Sequence, residues 1–122
     1  IDHRIDALIV SNTTLDRPDS LTARDRDQAG GLSGRPLQAR ARAALSAAAS
    51  ASNRRLPLIA VGGIDSGREA YDRIRAGATA VQLYSALIYG GPGLVGRIKR
   101  DLAQCLREDG FTSVAEAVGT AR

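Results

Sequence analysis

The sequence has 122 residues, of which 43% are hydrophobic and 25% charged, and it carries a formal net charge of +4. These proportions are typical of folded globular chains, and no apolar run reaches the roughly 18 to 20 residues that a membrane-spanning helix requires. The positive charge comes from sixteen arginines and one lysine dispersed among acidic residues, and the chain has only three tyrosines and one phenylalanine. A nucleic-acid-binding surface is therefore disfavoured.

Cys105 and His3 are the only cysteine and the only histidine. A single thiol excludes an internal disulfide and a multi-thiolate metal centre, and it is typical of a reducing compartment. The two residues are far apart in the sequence, and Cys105 falls within an apolar helical pattern. We therefore expect neither a Cys/His nucleophile pair nor a bound metal.

The first predicted strand is Ala7–Val10, a continuous apolar run that is typical of a parallel strand buried on both faces. It ends at the small polar residues 11–14. Residues 15–35 show no sustained hydrophobic period and predict a long loop of the kind that often serves a binding site. A helix follows from Pro36, with apolar residues recurring at helical spacing. These are Leu37, Ala41, Ala44, Leu45 and Ala48.

A second strand-helix unit follows. Leu58–Val61 predicts another buried strand, which stops at Gly62 and Gly63. Ser66–Glu69 has the spacing of a capping box, so we expect a helix that ends at Gly77. Its inward stripe is predicted to consist of Ala70, Tyr71 and Ile74.

The third unit begins with a predicted strand at Ala80–Leu83, followed by one or two helical turns at Tyr84–Tyr89. A longer amphipathic helix then ends at Gly110, and a second capping box at Ser113–Glu116 predicts a last short helix that ends near Gly119. The apolar face of the longer helix is predicted from Leu94, Val95, Ile98, Leu102 and Leu106. Because strands alternate with helices, we expect three parallel strands whose carboxyl ends share one edge.

Small and polar residues follow each predicted strand, and the shared edge brings them together. Asn12–Thr14, Gly62–Gly63 and Tyr84–Ser85 are then expected where ligands bind in open α/β sheets and in closed barrels. Backbone N–H groups beside the glycines and at the short helix are suited to a phosphate. Each element also has a purely structural interpretation. Gly62–Gly63 is then a tight turn, Asn12 a strand end or cap, Tyr84 part of the core, and Ser85 a helix cap.

Six motifs are distributed along the chain. They are Leu8–Thr14, Arg17-Pro18, Gly30–Leu37, Val61–Ile64, Ile74–Ala78 and Val81–Leu87. In this order and at this approximate spacing they resemble class 2, quinone-dependent dihydroorotate dehydrogenase. A complete β/α barrel needs about 250 residues. The resemblance therefore implies an α/β fold in which residues 1–122 form the C-terminal, FMN-phosphate-binding part of a (β/α)8 TIM barrel, with about three strand-helix units and incomplete on its own.

The resemblance also implies an activity. The whole protein is expected to be an FMN flavoprotein that oxidises dihydroorotate to orotate in pyrimidine biosynthesis and passes electrons to a quinone. Asn12 and Thr13 look like the residues that bind the substrate. The residues that look like flavin contacts are Thr13, Gly34, Gly62, Gly63, Tyr84 and Ser85, with the last two at the phosphate.

Other parts of such an enzyme are expected outside this chain. The resemblance implies that the catalytic base lies upstream, so no catalytic residue is assigned here, and neither Ser11 nor Ser33 is taken as that base. It implies a missing N-terminal barrel segment as a partner, and a peripheral location on the cytoplasmic side of the cell membrane. We expect the isolated chain to be inactive.

Two other interpretations stay open. The first is the phosphate-binding part of another flavin or sugar-phosphate TIM-barrel enzyme, because a strand followed by Gly-Gly and a short helix recurs among such enzymes. The second is a small non-enzymatic binding domain of the flavodoxin type. That fold suits the length but has five strands, whereas three are predicted.

Overall fold

The computed structural model describes residues 4–121, so His3 lies outside the described part of the chain. Within that part the order of strands and helices is the predicted one. The strands are β1 (Leu8–Val10), β2 (Leu58–Val61) and β3 (Ala80–Gln82). The helices are α1 (Gln38–Ala51), α2 (Gly67–Arg75), α3 (Ser85–Gly90), α4 (Leu94–Glu108) and α5 (Val114–Ala117), and a 3-10 turn at Arg35–Leu37 precedes α1.

The three strands form one parallel sheet in the order β1-β2-β3. Val10 is paired with Ala60, and Val61 with Gln82, so the carboxyl ends of the strands are level. This register confirms the prediction that the residues after each strand share one edge. The sequential order also differs from the 2-1-3-4-5 order of flavodoxin-like sheets.

The helices cover one face of the sheet and leave the other open. Val10, Leu58 and Ala60 are buried in a cluster with residues of α1, α2 and α4. Leu8 is 40% exposed and Ile9 is 56% exposed. The prediction that the first strand is buried on both faces is therefore wrong for this chain, because β1 is an edge strand and Ile9 points to the uncovered face.

Helix α2 begins and ends at the predicted signals. The Ser66 hydroxyl accepts a hydrogen bond from the Glu69 N–H at 3.2 Å, which is one half of a capping box. At the other end Gly77 has a φ of +119°, and the N–H groups of Gly77 and Ala78 donate to carbonyls of the last helical turn. The predicted inward stripe is confirmed, since Ala70, Tyr71 and Ile74 are all buried.

Helix α4 packs closely against α2. Its apolar face is buried as predicted at Leu94, Ile98 and Leu106. Val95 is 43% exposed, so the prediction that it belongs to this face is wrong. Val95 follows Leu94 by one residue, which rotates it about 100° from the buried stripe. Gly67 opens α2 at the point of contact, and a Cβ there would meet the backbone of α4.

Tyr71 joins α2 to the end of α4. Its hydroxyl donates to the Asp109 carboxylate at 2.5 Å, and its ring is fully buried between the two helices. Burial raises the pKa of Tyr71 to about 12, and the hydrogen bond to Asp109 adds to the shift. The protein therefore favours the neutral phenol over the phenolate.

Tyr71→Phe tests this contact. At pH 7 we expect the free energy of unfolding to fall by about 1 to 2 kcal/mol, because a hydrogen bond to a charged acceptor is lost. A tyrosine in an unfolded chain titrates near pH 10. The stabilisation is thus complete below pH 10 and is lost as the pH rises through about 12. Denaturant unfolding of both proteins from pH 7 to pH 11 should show the difference shrinking above pH 10, whereas a constant difference would contradict the assignment.

Candidate functional site

A cleft of about 370 Å³ lies at the carboxyl edge of the sheet. Every residue predicted to bind substrate or flavin lines it. Its lining consists of Ser11, Asn12, Thr13, Ser33, Gly34, Leu37, Val61, Gly62, Gly63, Ile64, Leu83, Tyr84, Ser85, Ala86 and Tyr89. The parallel register produces this convergence, because each strand delivers its next residues to the same edge.

The long loop between β1 and α1 returns to the cleft. Thr14 and Leu32 form an antiparallel bridge, with N–H to carbonyl distances of 3.1 and 2.7 Å. Inside the loop the Arg17 guanidinium donates to the carbonyls of Arg26, Gln28 and Gly30 at 2.7, 2.8 and 2.7 Å. Arg17 therefore stabilises a loop that contains no helix or strand. The bridge between Thr14 and Leu32 places the next residues, Ser33 and Gly34, at the cleft.

Ser33 and Ser85 join the end of this loop to the start of α3. Their hydroxyl oxygens are 2.8 Å apart. Ser85 is the first residue of α3 and caps nothing, while Tyr84 is 78% exposed. Tyr84 is therefore not part of the core that residues 4–121 form, and the alternative in which Ser85 caps the helix is wrong. Both side chains are available on the cleft side of the sheet.

Asn12 follows β1 and is held by its neighbour. Its Oδ1 accepts a hydrogen bond from the Thr13 N–H at 2.8 Å, so the amide oxygen is fixed. The amide nitrogen donates to no protein acceptor among residues 4–121. Asn12 is exposed and lines the cleft. It thus presents two N–H donors to whatever occupies the space in front of β1.

The Gly62–Gly63 turn follows β2 and requires glycine. The φ angles are +102° and +73°, which L side chains rarely adopt. A Cβ on Gly63 would lie 2.7 Å from the Cα of Gln38 at the start of α1. The turn is therefore pressed against α1 on one side, and its other side is open to the cleft.

Two charged residues, Arg73 and Glu69, lie behind this turn, and the sequence analysis assigned neither of them a role at the site. Arg73 is fully buried and Glu69 is nearly so, and Arg73 Nε donates to Glu69 Oε1 at 2.7 Å. Their spacing along α2 is typical of a surface ion pair. Both lie on the same helical stripe as Ala70 and Ile74, and that placement is the one signal of burial in the sequence.

The cleft itself is nearly free of charge. Among the described residues that line it there is no Asp, Glu, His, Lys, Arg or Cys. A neighbouring cavity shares Ser33, Gly34 and Ser85 with it and adds Arg35 and Arg97. Arg35 is paired with Asp65, with Nε to Oδ2 at 2.8 Å. The cleft thus offers hydroxyl, amide and backbone donors, with two cations beside it.

Comparison with known proteins assigns the family. The family described as dihydroorotate dehydrogenase matches residues 1–106. The chain belongs to the dihydroorotate dehydrogenase family.

Curated dihydroorotate dehydrogenases (quinone) are similar to this chain over most of its length. The Rhodospirillum rubrum protein is 61% identical over 115 residues, which make up 94% of this chain and 31% of that protein. The mitochondrial Oryza sativa subsp. japonica protein is 51% identical over 117 residues, which make up 95% of this chain and 25% of that protein. The chain thus spans about a third or less of the length of these dihydroorotate dehydrogenases.

Solved structures confirm the fold. The crystal structure of DHODH in complex with ferulenol from Eimeria tenella matches with a TM-score of 0.91 at 45% identity, covering 93% of this chain and 30% of that one. The ligand-free Eimeria tenella structure matches with the same TM-score at 44% identity, covering 94% of this chain and 32% of that one. The prediction of an α/β chain that forms part of a TIM barrel of the dihydroorotate dehydrogenase type is confirmed.

Proposed function

We propose that residues 1–122 form the C-terminal, FMN-phosphate-binding part of a quinone-dependent dihydroorotate dehydrogenase, which oxidises dihydroorotate to orotate in pyrimidine biosynthesis. The observation that carries the proposal is the single cleft in which the residues after all three strands meet the end of the long loop. The curated relatives that bear the name dihydroorotate dehydrogenase (quinone) support the activity and the electron acceptor.

The cleft suits FMN in its volume and in its donors. Gly34, Gly62 and Gly63 have no Cβ and positive φ, so a bound flavin can approach the backbone closely. The Ser85 hydroxyl and the backbone N–H groups of the Gly62–Gly63 turn are donors suited to a phosphate. The volume of the cleft, about 370 Å³, lies within the range of ligand sites in proteins, which runs from about 300 to 1,000 Å³. Thr13 and Tyr84 complete the proposed flavin contacts.

Asn12 and Thr13 are proposed to contact the substrate. Dihydroorotate carries amide and carboxylate groups, and the free N–H donors of Asn12 are suited to their oxygens. The hydrogen bond from the Thr13 N–H fixes the Asn12 amide before any ligand arrives. Asn12 would therefore orient the pyrimidine ring against the flavin at little entropic cost.

These residues position the reactants and do not move protons. When bound, FMN would supply the acceptor for the hydride that leaves dihydroorotate, and a quinone would be the final electron acceptor. The proton that also leaves requires a base. The described lining of the cleft includes no imidazole, carboxylate or amine, and its three serine hydroxyls are not assigned that role. We propose that the base belongs to the segment upstream, as the resemblance to the family implies.

The uncovered face of the sheet is proposed to meet that upstream barrel segment. Ile9 lies exposed on this face, and Tyr84 and Tyr89, which line the cleft at the carboxyl edge of the sheet, are also large exposed side chains. A closed barrel buries this face and pairs both edge strands.

Within residues 4–121 no helix is long and apolar enough to cross a membrane. We propose that another segment of the whole protein attaches it peripherally to the cytoplasmic side of the membrane.

The proposal is tested on the full-length protein and on residues 1–122 alone. The full-length protein should show flavin absorbance and should reduce a quinone when dihydroorotate is added. The isolated chain should show no turnover and only weak flavin binding, because it lacks the base and half the walls of the site. Robust turnover by the isolated chain would contradict the proposal that residues 1–122 position the reactants while the upstream segment supplies the base. A full-length protein with bound flavin but no activity on dihydroorotate would favour another flavin-dependent barrel enzyme.

A further inference from the structure

The buried guanidinium of Arg73 lies directly behind the Gly62–Gly63 turn. Its Nη2 donates to the carbonyl oxygens of Gly62 and Gln38, each at 3.0 Å. The side-chain amide of Gln38 in turn donates to the carbonyl of Gly63 at 3.0 Å. Both carbonyls of the turn are therefore drawn toward α1 and α2, on the side away from the cleft.

This arrangement sets the direction of two N–H groups. A trans peptide unit holds its C=O and N–H bonds antiparallel, and the units after Gly62 and Gly63 are trans. The unit with the Gly62 carbonyl carries the Gly63 N–H, and the unit with the Gly63 carbonyl carries the Ile64 N–H. Both N–H groups thus point away from the helices, toward the cleft that these residues line. Neither has a backbone acceptor among residues 4–121.

The charge of Arg73 is balanced from within α2. A buried cation is tolerated when it is paired and hydrogen-bonded, and Glu69 supplies the partner through the 2.7 Å contact of its Oε1 with Arg73 Nε. Arg42 reaches the same carboxylate from the solvent side, with its Nε 3.0 Å from Oε1. Arg42 has no hydrogen bond to the turn, so the two arginines share Glu69 and differ in their contact with Gly62.

We propose that Arg73 is a positioning residue that fixes the Gly62–Gly63 turn so that the Gly63 and Ile64 N–H groups bind an anion. This inference rests on the function proposed above, under which the anion is the phosphate of FMN. Gln38 acts with Arg73 by holding the second carbonyl of the turn. Removal of the guanidinium frees the turn to rotate, and the two donors no longer converge on one acceptor.

The test compares Arg73→Met, Arg73→Lys and the matched control Arg42→Met in the full-length protein. The dissociation constant of FMN for each apoprotein is measured by flavin fluorescence. Arg73→Met should raise it by about tenfold or more, since hydrogen bonds from a charged donor to the turn are lost. Arg42→Met should change it by less than about twofold, and Arg73→Lys should fall between them. Saturating FMN should restore kcat in Arg73→Met.

A second readout does not depend on FMN. In protein labelled with 15N-glycine and free of flavin, the amide resonances of Gly62 and Gly63 should shift in Arg73→Met and stay in place in Arg42→Met. Equal effects of the two variants on both readouts would overturn the positioning role. If the unchanged protein binds no FMN, the proposed function fails, and the glycine resonances still decide the role of Arg73. If Arg73→Met does not fold, Gln38→Leu replaces it and should also shift Gly63 and weaken FMN binding.

Discussion

Asn12→Ala in the full-length protein is expected to lower kcat/KM for dihydroorotate about a hundredfold, while FMN content stays within about twofold of the unchanged level. The expectation follows from the free N–H donors of Asn12, which lie in the cleft and serve no other residue among those described, 4–121. Loss of an orienting contact costs rate through geometry, and a displacement of about 1 Å can cost about a hundredfold. Flavin content is measured by absorbance and turnover by quinone reduction.

Asn12→Asp removes the N–H donors of the amide and keeps the hydrogen bond that holds the side chain in place. The carboxylate keeps the acceptor for the Thr13 N–H and has nearly the same shape, but it has no N–H to donate. It also places a negative charge against the carboxylate of dihydroorotate. We expect it to be at least as inactive as Asn12→Ala with FMN still bound. Loss of FMN with normal handling of dihydroorotate by the remaining holoenzyme would contradict the substrate role of Asn12.

Gly63→Ala is expected to weaken FMN binding by about a hundredfold or more. The new Cβ would lie 2.7 Å from the Cα of Gln38, and this backbone atom cannot move aside as a flexible side chain can. The residue must also hold a φ of +73°, which costs a side-chain-bearing residue about 1 to 2 kcal/mol. The turn is therefore expected to move into the cleft and to displace the Gly63 and Ile64 donors. Fluorescence titration of the apoprotein with FMN gives the affinity.

Gly110→Ala is the matched control for this substitution. Gly110 has a φ of +79°, and a Cβ added there would meet no atom of the described residues within 4 Å beyond its chain neighbours, so the variant has the strain without the clash. It lies at the end of α4 and does not line the cleft. We expect Gly110→Ala to lower thermal stability and to leave the FMN dissociation constant unchanged. A Gly63→Ala protein that binds FMN as well as Gly110→Ala does would remove this turn from the flavin site.

The elements of the fold were predictable because their signals are local. The apolar run Leu58–Val61, the Ser66 cap and the Gly77 stop each act through the nearest few residues, and all three are confirmed. The meeting of the residues that follow the three strands in one cleft was predictable for a related reason, whereas their contacts with substrate and flavin stay a prediction. Parallel strands bring their carboxyl ends to one edge, so the position of a residue just after a strand already places it near the others.

Features that depend on distant parts of the chain were not predictable. The exposure of Ile9 depends on what covers the second face of the sheet, and the sequence of β1 holds no information on that point. The burial of Arg73 depends on carbonyls of Gln38 and Gly62 that come close only after α1 and α2 have packed. Similarly, Arg17 organises its loop through carbonyls 9 to 13 residues away. Both arginines depend on distant backbone carbonyls, which have no signature in the amino-acid sequence, and the helical stripe shared with Glu69 is the one local sign for Arg73.

A crystal structure of the full-length protein with FMN tests the central claim most directly. We predict that the flavin phosphate lies within hydrogen-bond distance of the Gly63 N–H and the Ser85 hydroxyl, with the ring system extending toward Asn12. We also predict a base from outside residues 1–122 on the opposite side of the substrate. A flavin phosphate bound elsewhere in the barrel, with the Gly62–Gly63 turn closed by protein atoms alone, would contradict the central claim.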